Sequence, residues 1–183
     1  MNTSKKVRVL AALGMLSGAV WAGTFATFSD DATASSTFST GTLDLELNDD
    51  ATDAYAFTSL STSNMKPGDV KFATLKVENA GTIASTYAMA STESEAVLSS
   101  ALQLGAVVGA VTCDSLAYTA AALVPTNVVI ANGSLSSAAI ASRALAAAAS
   151  ETLCVRVELP SSAGNPLQGL TTTSTFTFTL SQA

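Results

Sequence analysis

The stretch TTTSTFTFTL, residues 171–180, alternates without interruption: Phe176, Phe178 and Leu180 fall on one parity, and Thr175, Thr177 and Thr179 on the other. Successive side chains of a pleated strand point to opposite faces, so a period of two reads as a strand with one buried and one wet face. Two more segments repeat the pattern. In TLDLELN (42–48), Leu43, Leu45 and Leu47 alternate with Thr42, Asp44 and Glu46. In ETLCVRVELP (151–160), Leu153, Val155, Val157 and Leu159 face inward while Thr152, Cys154, Arg156 and Glu158 face outward, and Pro160 closes the run. That parity puts Cys154 on the face away from the main core, so its partner belongs to a loop or layer covering that face. VKFATLKVEN (70–79) changes phase, with Val70 and Phe72 on one parity and Leu75 and Val77 on the other; a bulge or burial on both faces accounts for it.

Between these runs the punctuation is of the turn type. Pro67-Gly68-Asp69 suits a type II turn, Asn79-Ala80-Gly81 ends a strand in a similar way, and Asn132-Gly133 marks another reversal. TESEAVLSSALQLG places Glu93 and Glu95 ahead of an Ala/Leu run, which predicts one short helix near residues 93–101. The alanine-rich stretch 136–150 has helical propensity yet runs straight into the strand at Leu153, leaving helix, loop and irregular strand open. Short strands with Gly/Pro/Asn turns and no βαβ alternation predict an all-β fold. The class is an antiparallel β-sandwich of jelly-roll or immunoglobulin-like type with one short helix.

The N-terminus has the three-part layout of a secretory signal: Lys5, Lys6 and Arg8, then an apolar run from Val9 to Trp21, then small residues at alternating positions. Val20/Ala22 predicts cleavage before Gly23, and Thr24/Ala26 predicts cleavage between Ala26 and Thr27; an uncleaved anchor over residues 9–26 is the alternative. Loss of those three basic residues takes the formal net charge from −6 to −9 and leaves Lys66, Lys71, Lys76, Arg143 and Arg156 as the only basic residues. Nucleic acid and anionic lipid both demand basic patches, so neither is expected as a partner. Two cysteines, Cys113 and Cys154, in an exported chain favour a disulfide over two buried thiols.

The segment GTFATFSDDATASSTFSTGTLDLELND (23–49) resembles the start of the TasA/camelysin (CalY) family, whose members carry a signal peptide of the SipW-dependent type. The matching positions are Thr24-Phe25-Ala26, Phe28-Ser29-Asp30 and Phe38-Ser39-Thr40-Gly41-Thr42-Leu43-Asp44-Leu45. NMKPGD (64–69), LKVENAGT (75–82), LCVRVELP (153–160), AGNPLQG (163–169) and TFTFTL (175–180) extend the likeness to the C-terminus. The resemblance implies a signal peptide over 1–26, an N-terminal donor strand over 27–40 bearing Phe28, Ser29, Asp30 and Phe38, and a jelly-roll-like sandwich over 41–183. It implies a subunit of an extracellular fibre, in a biofilm matrix or on the cell surface, that polymerises head to tail by lending its strand to the next copy. A SipW-type signal peptidase and a minor anchoring subunit are the further partners it implies. A non-polymerising accessory, anchoring or adhesive surface protein is the alternative, and for residues 27–39 so is an unstructured mature N-terminus.

Camelysin relatives are classed as metallopeptidases, which brings the donor inventory into play. The chain contains no His. A His-Glu-x-x-His zinc site, a Ser-His-Asp triad and a Cys-His pair are therefore impossible, so no enzyme activity, cofactor or metal is expected. A Ser-Lys dyad using Lys66, Lys71 or Lys76 is the remaining formal arrangement. NDDATD (48–53) has hard oxygen ligands but lacks the order of a calcium loop and reads as a solvated acidic turn. Asn132-Gly133-Ser134 fits the glycosylation sequon, a frequent chance match.

Overall fold

A computed structural model of the chain describes residues 36–37, 39–52 and 55–183. The expected signal segment, the Ala26/Thr27 cleavage pair and the donor-strand residues Phe28, Ser29, Asp30 and Phe38 lie outside the described residues. The strands are β1 (Leu45–Leu47), β2 (Val70–Asn79), β3 (Ser85–Glu93), β4 (Gln103–Val107), β5 (Val128–Ser134), β6 (Ala139–Leu145), β7 (Ala149–Glu158) and β8 (Ser174–Gln182). Two helices interrupt them, α1 (Ala96–Ala101) and α2 (Ser115–Ala122). The strands form a five-stranded sheet of order β1-β2-β7-β4-β5 and a three-stranded sheet of order β6-β3-β8, antiparallel throughout. The expected all-β antiparallel sandwich is the architecture observed.

The β2/β7 ladder explains the phase change. It runs unbroken from Val70↔Glu158 to Asn79↔Ala149, so no bulge is present. Both strands are instead also covered on the second face, locally around Phe72 and Cys154, while Thr74 and Thr152 on that face stay exposed. Ala73, Leu75 and Val77 with Leu153, Val155 and Val157 meet the three-stranded sheet, whose Tyr87, Met89 and Ile140 complete the main core. Burying each Leu or Val of this set stabilises the fold by about 1.5–3 kcal/mol relative to exposure. On the other face Phe72 and Cys154 join Val107, Tyr118 and Ala121 in a second cluster. The Phe72 and Tyr118 ring centroids lie 5.7 Å apart. Cys154 is bonded to Cys113 with 5.2 Å between Cα atoms, so the predicted layer over that face exists and is covalently tied down.

That layer contains α2, which the sequence pattern did not single out. Its start is a capping signal: Asp114 accepts from the Ala117 N–H at 2.9 Å and from the Thr112 hydroxyl at 2.7 Å, which together hold its carboxyl below the ordinary value. The predicted helix near 93–101 is α1, starting later because β3 continues to Glu93; Glu95 caps it, accepting from Val97 and Leu98 N–H. The alanine-rich stretch resolves into β6 and the start of β7, joined by a turn in which Ala148 has a φ of 53°. Ile140 and Leu145 are drawn inward there, and their burial overrides alanine's helical propensity.

Lys66–Asp69 forms the predicted turn, with Asp69 N–H donating to Lys66 O at 2.9 Å and Gly68 at a φ of +92°. Asn132-Gly133 is not a reversal: both residues lie inside β5, where the pairing shifts by one residue opposite Leu104 and Ala106. Asn48 and Asp49, at φ 52° and 61°, make a two-residue hairpin turn closed by Asp50 N–H to Leu47 O, the geometry of the primed turns.

Two polar groups tie the sheets together at one end. Asn79 is fully buried, its amide donating to Ile83 O, Ala146 O and the Ser85 hydroxyl while its carbonyl accepts from Gly81 N–H. Glu151 on β7 accepts from the Tyr87 hydroxyl at 2.6 Å and from Arg143 Nε at 2.9 Å, both on the three-stranded sheet. Burial raises the Glu151 carboxyl, but the hydrogen bonds from Arg143 and Tyr87 together with the Arg143 charge outweigh it and hold the group below its ordinary 4.5. A carboxylate depressed in the folded state stabilises fully above the unfolded value and loses that contribution as pH falls. The urea midpoint is therefore expected to decline below about pH 4.5, and Glu151→Gln to show a shallower decline. Removing the disulfide, which closes a sequence separation of 41, is expected to cost about 3–4 kcal/mol in equilibrium denaturation.

Candidate functional site

The three-stranded sheet has two unlike edges. At the β6 edge the inward side chains Ile140 and Leu145 are buried. At the β8 edge Phe176, Phe178 and Leu180 face the core yet remain half exposed, because among the described residues no strand lies beyond β8. Between the two sheets lies a small apolar cavity of about 20 Å³, roughly the room of one water molecule. Its walls are buried side chains of both sheets, among them Leu75, Met89, Leu153 and Ile140, and its half-exposed members are Phe57, Phe176 and Phe178. The segment following β1, which ends in the Lys66–Asp69 turn, packs Tyr55, Phe57, Leu60 and Met65 half buried against the core, and Phe57 among them also lines the cavity. An unpaired strand can accept an added strand through backbone hydrogen bonds and alternate side chains.

The base of the N-terminal segment is fixed by a second set of contacts. Thr42 N–H donates to the Thr82 hydroxyl at 2.9 Å, Thr82 N–H donates to Thr42 O at 3.0 Å, and Ala80 N–H donates to Asp44 O at 2.9 Å. Two sequence blocks quoted for the family resemblance, FSTGTLDL and LKVENAGT, thus pair with each other. Both glycines are dictated by close approach. A Cβ on Gly41 would meet Ile83 Cγ2 at 2.0 Å, and one on Gly81 would meet Thr42 O at 2.3 Å. Asn79-Ala80-Gly81 ends β2 as expected, but Gly81 has no positive φ and is there to make room for residues 42–44. From Gly41 onward the chain enters the sandwich at the end where β2 finishes, β3 begins and β8 terminates, with Ser85 opposite Gln182.

The candidate chemical groups are dispersed. Lys76 Nζ is bound by Asp49 and Glu78, whose hydrogen bonds hold the ammonium well above its ordinary value, the reverse of what a lysine base requires. Asp50 accepts from both the N–H and the hydroxyl of Thr52, and Asp53 lies outside the described residues. Lys66 lies in the turn before β2 and Lys71 within β2. Among the described residues no three His, Cys, Asp or Glu side chains converge on one point, and both cysteines are consumed by the disulfide.

The chain matches the family described as Camelysin metallo-endopeptidase over residues 4–110. A comparison with curated proteins found no match. The family's description implies a metal, and the donor set does not fit one of the peptidase type: no His exists in the sequence, and the thiols are oxidised. The match ends just before the disulfide-bonded helical layer. Gly81→Ala tests the pairing at the arm base. Overpacking against Thr42 O is expected to cost about 1–3 kcal/mol, and limited proteolysis should cut around residues 41–44 faster than in the parent.

Proposed function

The chain belongs to the camelysin metallo-endopeptidase family, and from that membership we propose that it is a secreted structural subunit of an extracellular fibre. Residues 1–26 direct export and are removed by a SipW-type signal peptidase between Ala26 and Thr27. Residues 27–40 then serve as the donor strand of one copy on β8 of the next. The observation that carries this reading is the β8 edge, unpaired among the described residues, whose core-facing Phe176 and Phe178 remain half exposed. Backbone hydrogen bonds supply the affinity, while Phe28 and Phe38 are the arm's large side chains.

Strand directions favour donation between copies. β1 runs antiparallel to β2, and β8 runs antiparallel to β3. An arm arriving from beyond the end of the sandwich therefore travels in the direction of β1, opposite to β8. Stacked end to end, one copy's arm meets the next copy's β8 antiparallel. Folding back on its own β8 would reverse the arm and give parallel pairing, which is slightly less stable per residue. A contact of this kind does not close on itself and so propagates as a filament. Anchorage would then fall to a minor subunit presenting the same edge.

Catalysis is not part of this proposal, despite the family's description. The sequence has no His for a zinc ligand or a catalytic base, and Lys76 is committed to Asp49 and Glu78. A non-polymerising accessory, anchoring or adhesive role is the second reading, favoured by Phe57, which already packs beside Phe176 and Phe178 in the lining of the core cavity. Electron microscopy of chains beginning at Thr27 and at Gly41 separates the two. Filaments from the longer chain alone are expected; monomers from both would transfer the assignment to the accessory role.

A further inference from the structure

Between Glu95 and Arg143 the sequence carries a single charged residue, Asp114. Within that stretch lies α2, which is apolar on both of its faces. Tyr118 and Ala121 pack onto the five-stranded sheet. On the opposite side Leu116 is 83% exposed and Leu123 79%, flanked by Val111 at 96% and Val124 at 45%. The exposed leucines and valines at and around this helix have a core beneath them and no packing partner above them among the described residues. The disulfide and the Asp114 cap fix it in place, so these side chains form a preorganised patch.

We propose that this patch is a contact between copies of the chain, the α2 face of one packing against the α2 face of another. The electrostatics select this occupant. A chain of net charge −6 repels its own kind over most of its surface. It can approach a second copy at small cost only where each brings little charge, and the stretch containing α2, with the Asp114 cap as its one ionic group, is such a place. On β7, Arg156 and Glu158 are paired with each other, and Arg156 lies over the Tyr118 ring. A patch with no basic residue has nothing with which to hold an anionic lipid surface. Because α2 covers the outer face of the five-stranded sheet, the contact is lateral to the strand direction and separate from β8. It joins copies side by side, whether or not the arm polymerises them.

The test uses the chain from Thr27 carrying Phe28→Asp and Phe38→Asp, substitutions that disable the arm and leave residues 41–183 untouched. Sedimentation velocity over a concentration series is expected to show reversible dimers. Adding Leu116→Glu and Leu123→Glu should weaken them at least about tenfold through like-charge repulsion, with far-UV circular dichroism and the disulfide unchanged because both side chains are largely exposed. A parent monomeric at every concentration, or dimers indifferent to the two glutamates, would overturn the proposal. So would dimers that vanish when the chain begins at Gly41, which would make the arm the occupant of the patch.

Discussion

The fold depends on two adjacent strands that must be covered on both faces. β2 and β7 form a ten-residue ladder whose one side carries Leu75, Val77, Leu153 and Val155 and whose other side carries Phe72 and Cys154. A two-layer sandwich covers only the first side. The second is covered by the segment between β4 and β5, where Tyr118 packs beside Phe72 and the Cys113–Cys154 bond prevents the cover from lifting. The molecule is in this sense three layers deep around β2 and β7. It is thinner at the three-stranded sheet, whose outward residues on β3 and β8, such as Ala88, Thr177 and Thr179, are small or hydroxylic.

Asymmetry follows from that arrangement. Five strands face three, and the missing coverage falls beside β8, where aromatic side chains aimed at the core stay half exposed. At the end of the sandwich where β8 stops, Ala80 and Thr82 hold residues 42–44 in place. In the proposed assembly, an arm leaving from that end would run antiparallel to the β8 of a copy stacked beyond it, which is the head-to-tail arrangement. The family's peptidase description points elsewhere. The side chains present do not follow it, since the acidic residues after β1 serve a hairpin turn and an ion pair with Lys76.

Much of this was legible in the sequence because alternation reports burial directly. TTTSTFTFTL and ETLCVRVELP named their inward residues correctly, and the parity of Cys154 foretold a second layer before the layer was located. The phase change in VKFATLKVEN was visible, but its cause was not: a bulge and two-faced burial leave the same trace, and only the unbroken β2/β7 register separates them. The alanine-rich stretch stayed open because alanine carries little burial signal and its helical propensity yields to the packing of Ile140 and Leu145. Helix α2 was overlooked although Asp114 is a good cap, since the valines before it and its exposed leucines hide any amphipathic period. Gly81 was taken for a turn glycine because a sequence does not reveal that another chain segment passes at contact distance.

The central claim is that β8 accepts the arm of another copy, and hydrogen exchange tests it most directly. A peptide spanning residues 27–40 would be added to the chain beginning at Gly41, and amide protection followed along the molecule. Saturable protection of Ser174–Gln182 is the predicted result. Unchanged exchange in that strand, or protection confined to another edge, would contradict the account.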